Sequence, residues 1–295
     1  MPSATESALS KLEKFLTKPL HESGEEELLG LADDAVQKAR EEAEVDLLSG
    51  QDLVRGLELR GDLHRQLGRY DNAQTDYEEA LALLESATGM DEALGRVCAG
   101  LAVVHEFTDE NDLAKSFYER AIAAYESLTP AAVITAADLR NNLAFIYEAE
   151  GNFDSAETFL LAAVKACHGK LGPDHPKTAV LCNNVGTLYF KAGHDEQAGQ
   201  MHEMALQART KLYGEVHVET AQTHGNLALV RVRSGDVSEG LAHFEKALTG
   251  FESDLNSSGD DYEIVGLNYR DVLESMGDDR AVAALDDRLK DHGFS

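Results

Sequence analysis

Basic residues are scarce in this chain. Lys and Arg number 26 against 54 Asp and Glu, leaving a net charge of −28, and every quarter of the chain carries more acids than bases. Nucleic acid is therefore a poor partner, because phosphate binding needs clustered Lys and Arg to release counterions. The excess acid has two readings, solubility (including adaptation to salty surroundings) or attraction for basic partners. Cysteine is sparse as well. Cys98, Cys167 and Cys182 form an odd set without CxxC or metal-site spacing, so no disulfide framework is implied and a reducing compartment fits. No stretch approaches the roughly 18 consecutive apolar residues of a membrane span. Met1 to Leu20 mixes Glu6, Lys11, Glu13, Lys14 and Lys18 among its leucines, unlike a signal peptide. The expectation is a soluble, cytoplasmic protein that engages no membrane, in which the N-x-S triplet at Asn256 is a polar loop and not a glycan site.

Catalytic signatures are missing too. Gly169-Lys170 has Val164 in place of the upstream glycine of a phosphate loop and Leu171 in place of its Ser or Thr. His202-Glu203 meets Leu206 where a zinc helix needs its second histidine. Cys167, His168, His175 and Cys182 are four potential zinc ligands near one loop, yet Cys182 repeats Cys98 after 84 residues, as a packing position would. His175 in turn shares a loop signature with His217. No acid, base and nucleophile converge, so the chain is read as a non-enzyme with no cofactor and no metal.

What is present is a repeat. Gly68, Asp109, Gly151, Gly193, Gly235 and Gly277 form one column, the last four at intervals of 42, which marks six repeats. Seven before this marker stand Gly61, Ala102, Ala144, Gly186 and Ala228; four before it stand His64, His105, Tyr147, Tyr189, Arg231 and Leu273. Five after it come Ala73, Ala114, Ala156, Ala198, Gly240 and Val282, and twelve after it Ala80, Ala121, Ala163, Ala205 and Ala247, with Leu289 breaking the series. Tyr77, Tyr118, Leu160 and Phe244, nine after the marker, are bulky fillers. Alternation of small and large residues is what antiparallel helix pairs require, since their backbones approach only where one side contributes no bulk. The marker column is a left-handed turn position that glycine adopts without strain, so Asp109 predicts the weakest turn, at a cost of about 1 kcal/mol. His64 and His105 read as core residues, and apolar spacing such as Leu139, Leu143, Ile146 and Tyr147 is helical throughout.

These columns resemble the tetratricopeptide family over roughly residues 51 to 292. The unit is longer than the ordinary ~34 residues. Asn141-Asn142-Leu143-Ala144, Asn183-Asn184-Val185-Gly186, Gly172-Pro173-Asp174-His175-Pro176 and Gly214-Glu215-Val216-His217 look like its kinesin-light-chain subclass. The resemblance implies an all-α fold, an α-solenoid in which antiparallel helix pairs stack as a right-handed superhelix. Residues 1–50 are expected to form a helical cap or degenerate repeat, with amphipathic patterns at 5–18 and 25–47 split by Pro19 and Gly24. Residues 51–255 hold five repeats. Residues 256–295 hold a degenerate sixth, in which Arg270 and Asp286 replace the small residue and the filler. Ser257, Ser258, Gly259 and Asp260 are expected to form a loop before it.

Asn142, Asn184, Asn226 and Asn268 form a further column nine before the marker, with Asn141 and Asn183 beside the first two. Asparagine is a mediocre helix former, so its recurrence asks for a reason. In the family this face lines a groove, and matching asparagines hydrogen-bond the main chain of an extended peptide; an amide suits that task because it offers donor and acceptor together. The other option is that the amides bridge neighbouring repeats. By the same resemblance Thr187, Phe190, Lys191, Gln222, Leu229 and Arg233, with Val180, lie on that face. The lysines that relatives use to clamp a C-terminal carboxylate are missing, since Glu58, Ala99, Asn141, Asn183 and Gly225 fill that column. The partner expected is a protein or extended peptide segment, with basic ones favoured if the charge contributes. An alternative function is a signalling receptor that responds to a small peptide.

Overall fold

The computed structural model describes residues 4–16, 24–43, 50–85, 89–128 and 132–294. They form fourteen helices, and no strand occurs among them. The chain divides into two compact units, Met1–Ile146 and Tyr147–Ser295. No helix among the described residues is long and apolar enough to cross a membrane.

In the first unit, α1 (Ala4–Leu16), α2 (Glu25–Ala43) and α3 (Gly50–Gln66) pack on one another. Helices α3 and α4 (Tyr70–Glu85) make one antiparallel pair, and α5 (Asp91–Phe107) and α6 (Asn111–Ser127) the next. Pro19 and the ends of the two N-terminal patterns, 17–18 and 44–47, lie outside the described residues. The column logic is visible at Tyr77, which is fully buried. A Cβ on Gly61 would come within 2.8 Å of its ring and one on Gly100 within 2.6 Å. Both neighbours must therefore be glycine for a ring of this size to lie between α3 and α5.

In the second unit, α8 (Phe153–Leu171), α9 (Pro176–Lys191), α10 (Asp195–Tyr213), α11 (Val218–Arg233), α12 (Val237–Phe251), α13 (Leu255–Met276) and α14 (Asp279–Asp291) follow α7 (Val133–Ala149). Pairs α9–α10, α11–α12 and α13–α14 are hairpins, while α9 also meets α11 and α11 meets α13. The first helices of successive repeats thus lie side by side. Leu289, the large residue in an alanine column, is accommodated because the facing position is Gly266, whose Cβ would sit 2.6 Å from it. Arg270 and Asp286, the two departures in the last repeat, face each other at 3.7 Å.

All six marker residues adopt positive φ, and Asp109, at 60°, is the one non-glycine to do so among the described residues. The chain after each marker folds back in the same way. Arg69, Glu110, Asn152, His194, Asp236 and Asp278 donate their N–H to the carbonyls of His64, His105, Tyr147, Tyr189, Arg231 and Leu273 at 2.8–3.1 Å, closing each first helix with a Schellman turn. The marker's own bond is 3.3 Å at Asp109 against 2.9–3.1 Å in the glycine turns, in line with the weaker turn expected there.

The Ser257–Asp260 loop is a correction. These residues belong to the first turns of α13, which breaks only at Ser258 (φ −130°, ψ 16°). Ser258 is buried, and its hydroxyl donates to the Phe251 and Asp254 carbonyls at 3.1 and 2.7 Å. A serine that caps the end of α12 reads, by composition alone, as a loop residue.

Candidate protein-interaction face

The loops leading into α9 and α11 are built alike, and they fix where the two helices start. Gly172 and Gly214 take φ of 91° and 90°. Thr178 and Thr220 donate to the carbonyls of those glycines at 2.8 and 2.9 Å. His175 and His217 are the N-caps: each Nδ1 accepts a backbone N–H, from Lys177 and Glu219 respectively, at 3.2 Å. His175 is thus spent on the helix start, while Cys167 and Cys182 are buried and not joined in a disulfide. Burial pushes the Cys182 thiol up to about 11. Among the described residues no group of three or more His, Cys, Asp or Glu has an arrangement that could hold a metal ion.

With both helices set in register, Asn184 and Asn226 occupy matching places on α9 and α11 and are half-buried. Asn183 turns inward and is 5% exposed. Its Oδ1 accepts a hydrogen bond from Asn226 Nδ2 at 3.1 Å and lies 3.1 Å from Nδ1 of the buried His202 on α10. Of the two roles open to the amides, Asn183 therefore performs the bridging one, between α9, α10 and α11. Thr187 donates to the Asn183 carbonyl at 3.2 Å. Gln222 stands exposed, with its Oε1 accepting from Arg209 Nη1 at 3.1 Å. Leu229 is partly buried against the core of the last two repeats. Val180 is 41% exposed, and Ile264, two repeats along in the same column, is 57% exposed.

The cations of this face are already paired. Arg233 lies over the Phe190 ring, 3.5 Å from its centroid, and donates to the Phe190 carbonyl at 2.5 Å and to Asp195 from Nε at 2.7 Å. Lys191 pairs with Glu148. The face is thus made of amide and apolar groups with its positive charge internally neutralised. Asn141 and Asn142 belong to the first unit. There both are half-buried, and Asn142 hydrogen-bonds the Tyr118 phenol, whose pKa burial raises.

Three residues that sequence reasoning left out complete the face. Arg209 is 2% exposed and anchors α10 to the start of α11 through the Glu219 carbonyl and Thr223 Oγ1, both at 2.8 Å, and the Glu219 carboxylate. Asp195 holds Arg233. His202 stands nine after Gly193, in the filler column of Tyr77, Tyr118, Leu160 and Phe244. A histidine in a core column filled elsewhere by Tyr, Leu and Phe, beside a doubled asparagine, was the available signal.

Paired helices, a left-handed turn between the helices of each pair, and interlocking small and large columns define a helical-repeat protein. Family comparison gives the class its name: the model described as tetratricopeptide repeat matches residues 52–127, 135–211 and 183–253. The chain belongs to the tetratricopeptide-repeat family. Among solved structures it is similar to BtubC (BKLC) from P. vanneervenii, at 27% identity over 76% of this chain and 90% of that one, with a TM-score of 0.64. It is also similar to the nearly identical TPR-like repeats of a Podosopora anserina kinesin light chain, at 16% identity over 68% and 96% of the two chains, with a TM-score of 0.59. The apo form of RapI matches at 14% identity over 81% and 84%, with a TM-score of 0.65. The last two likenesses speak to fold alone. No curated protein sequence matches the chain.

Proposed function

We propose that this protein is a non-catalytic scaffold whose α9–α11 face takes an extended segment of a partner protein. The single observation that carries the reading is the pairing of Asn184 and Asn226 one repeat apart, on neighbouring first helices whose flanking cations are satisfied from within. A face of this kind rewards a ligand for its main chain more than for its charge. Residues 51–255 act in this reading as five repeats, with 1–50 and 256–295 as end caps that keep further copies from stacking. Three buried thiols and the absence of a disulfide suit the cytoplasm. The net charge of −28 favours segments rich in Lys or Arg through long-range attraction.

The test is selection of displayed random peptides against the purified protein, followed by titration of a selected peptide. Asn184→Ala with Asn226→Ala removes two hydrogen bonds worth about 0.5 to 1.5 kcal/mol each, so affinity falls roughly five-fold to a hundred-fold. Thermal stability falls by about 0.5 to 1.5 kcal/mol for the lost Asn226–Asn183 hydrogen bond, offset in part because alanine is the better helix former. Unchanged affinity with lowered stability would assign both amides to the repeat interface and end the groove reading. Loss of binding between 50 and 300 mM salt without an asparagine effect would move the site to the acidic surface.

A further inference from the structure

We propose that His202 is a positioning residue for this face: through Asn183 it holds the Asn226 carboxamide with its oxygen outward, so that the ligand must present an N–H at that point. The inference rests on the function proposed above and adds to it the polarity of one subsite.

The chain of reasoning starts at an oxygen. Asn183 Oδ1 has no proton to give, and it already accepts from Asn226 Nδ2 at 3.1 Å. The imidazole nitrogen 3.1 Å from the same oxygen must therefore be an N–H, which makes His202 the Nδ1–H tautomer. A free imidazole prefers the other tautomer in water, so the arrangement is imposed by the site. Burial, helped by the nearby Arg209 guanidinium, pushes the His202 pKa down to about 4 and keeps the ring neutral. The ring has little room to turn away, because a Cβ on Gly186 would come within 2.7 Å of it.

Asn226 follows from this. One of its amide protons is committed to Asn183, and among the described residues no side chain donates to its Oδ1. With the nitrogen tied inward, the carboxamide presents an acceptor. An extended peptide meets an acceptor with a backbone N–H, which every residue except proline supplies. The subsite therefore excludes proline at one fixed ligand position, whatever the side chains around it. A second consequence concerns the helices: α10, through His202, and α11, through Asn226, each donate one hydrogen bond to the same Asn183 oxygen on α9.

Two variants and three readouts test the proposal on the full chain. His202→Phe keeps a ring in a column where Tyr77 already packs on Gly61, and Asn183→Ala copies the residue at Ala99 in the same column. Nitrogen-15 spectra of imidazole side chains should find His202 protonated on Nδ1; protonation on Nε2 alone would overturn the relay. Exchange of the slower Asn226 side-chain amide proton should quicken about five- to ten-fold in either variant, the worth of one hydrogen bond, and no further in the double variant. Unaltered exchange in a folded His202→Phe protein would also overturn it. In the display selection, peptides bound by the unmodified protein should lack proline at one position, and peptides bound by His202→Phe should tolerate it. If proline is tolerated equally by both, the polarity claim fails even where the relay stands. If no peptide is selected at all, the function fails, and the two spectroscopic readouts still decide the relay.

Discussion

The two units bury different kinds of polar group. Among the described residues only the first buries carboxylates, beside Thr5, His64 and His105. Asp76 is 3% exposed and accepts from Arg60 Nε and Nη2 at 2.9 and 2.6 Å, while Glu58, also 3% exposed, accepts from Arg55 at 2.9 Å and Arg96 at 2.6 Å. The second buries neutral groups instead: His202, His224, Asn183, Thr178, Thr220 and Thr223, with Arg209 as the exception among the described residues. A buried carboxylate is tolerable only while its cation is in place. A buried imidazole is tolerable only while it stays uncharged. The same repeat pattern therefore supports two interiors with opposite vulnerabilities, one to loss of a partner and the other to acid.

The largest effect should come from the first unit. Arg60→Met leaves Asp76 buried without its cation, a change that costs about 3 to 5 kcal/mol. Chemical denaturation, with hydrogen exchange of the α3 and α4 amides to localise the loss, is the measurement. A cost under about 1 kcal/mol would mean that Asp76 rehydrates freely, and the contrast between the units would collapse.

Acid should reverse the ranking. His202 and His224 are both pushed down to about 4, and His243 is lowered too, in each case chiefly by burial. Nδ1 of His224 and Nδ1 of His243 lie 2.8 Å apart, so one proton already sits between them and a second would set two donors face to face. A folded pKa below the unfolded value of about 6.5 means that the unfolded chain takes up the proton first. Stability is then whole above about pH 6.5 and falls as pH drops towards 4, by up to about 1.4 kcal/mol per pH unit for each such imidazole. Among the described residues of the first unit, His64 is lowered likewise, mainly by burial. Exchange protection in α9–α12 should consequently fade between pH 6.5 and 5 before that in α3–α6, and His202→Phe should flatten the slope. Equal loss in both units would show that the imidazoles do not set the acid limit.

Much of this was legible in the sequence, and for a physical reason. Turn glycines and small–large columns are local requirements repeated six times, so periodicity alone exposes the helix pairs and even singles out Asp109. The candidate face was legible only in outline. Asn184 and Asn226 could be placed on matching helices, but the inward turn of Asn183 depends on a contact with His202, nineteen residues away on the next helix. The pinning of Arg233 by Asp195 likewise spans 38 residues. Such contacts belong to one repeat interface and leave no periodic trace. Ser258 shows the converse limit, since a cluster of Ser, Gly and Asp marks either a loop or a serine-capped kink inside a helix.

The smallest effect contrasts the same turn in the two units. Asp109 and Gly193 occupy equivalent positions at φ of 60° and 82°. Asp109→Gly removes the strain of a Cβ in left-handed backbone, offset in part by the greater freedom glycine gives the unfolded chain, for a net gain of about 0.5 to 1 kcal/mol. Gly193→Asp should lose a similar amount, for the same reason with the sign reversed. Nothing lies within 4 Å of a Cβ built at Gly193, so the reverse substitution reports backbone strain free of a steric clash. Paired thermal melts, each followed by the exchange of amides in the turn concerned, separate the two units. If Asp109→Gly is neutral while Gly193→Asp is costly, the Asp109 side chain must recover the strain through its own hydrogen bonding. The first unit would then resemble the second in having a polar group that works locally, and the difference between the units would narrow to their buried charges alone.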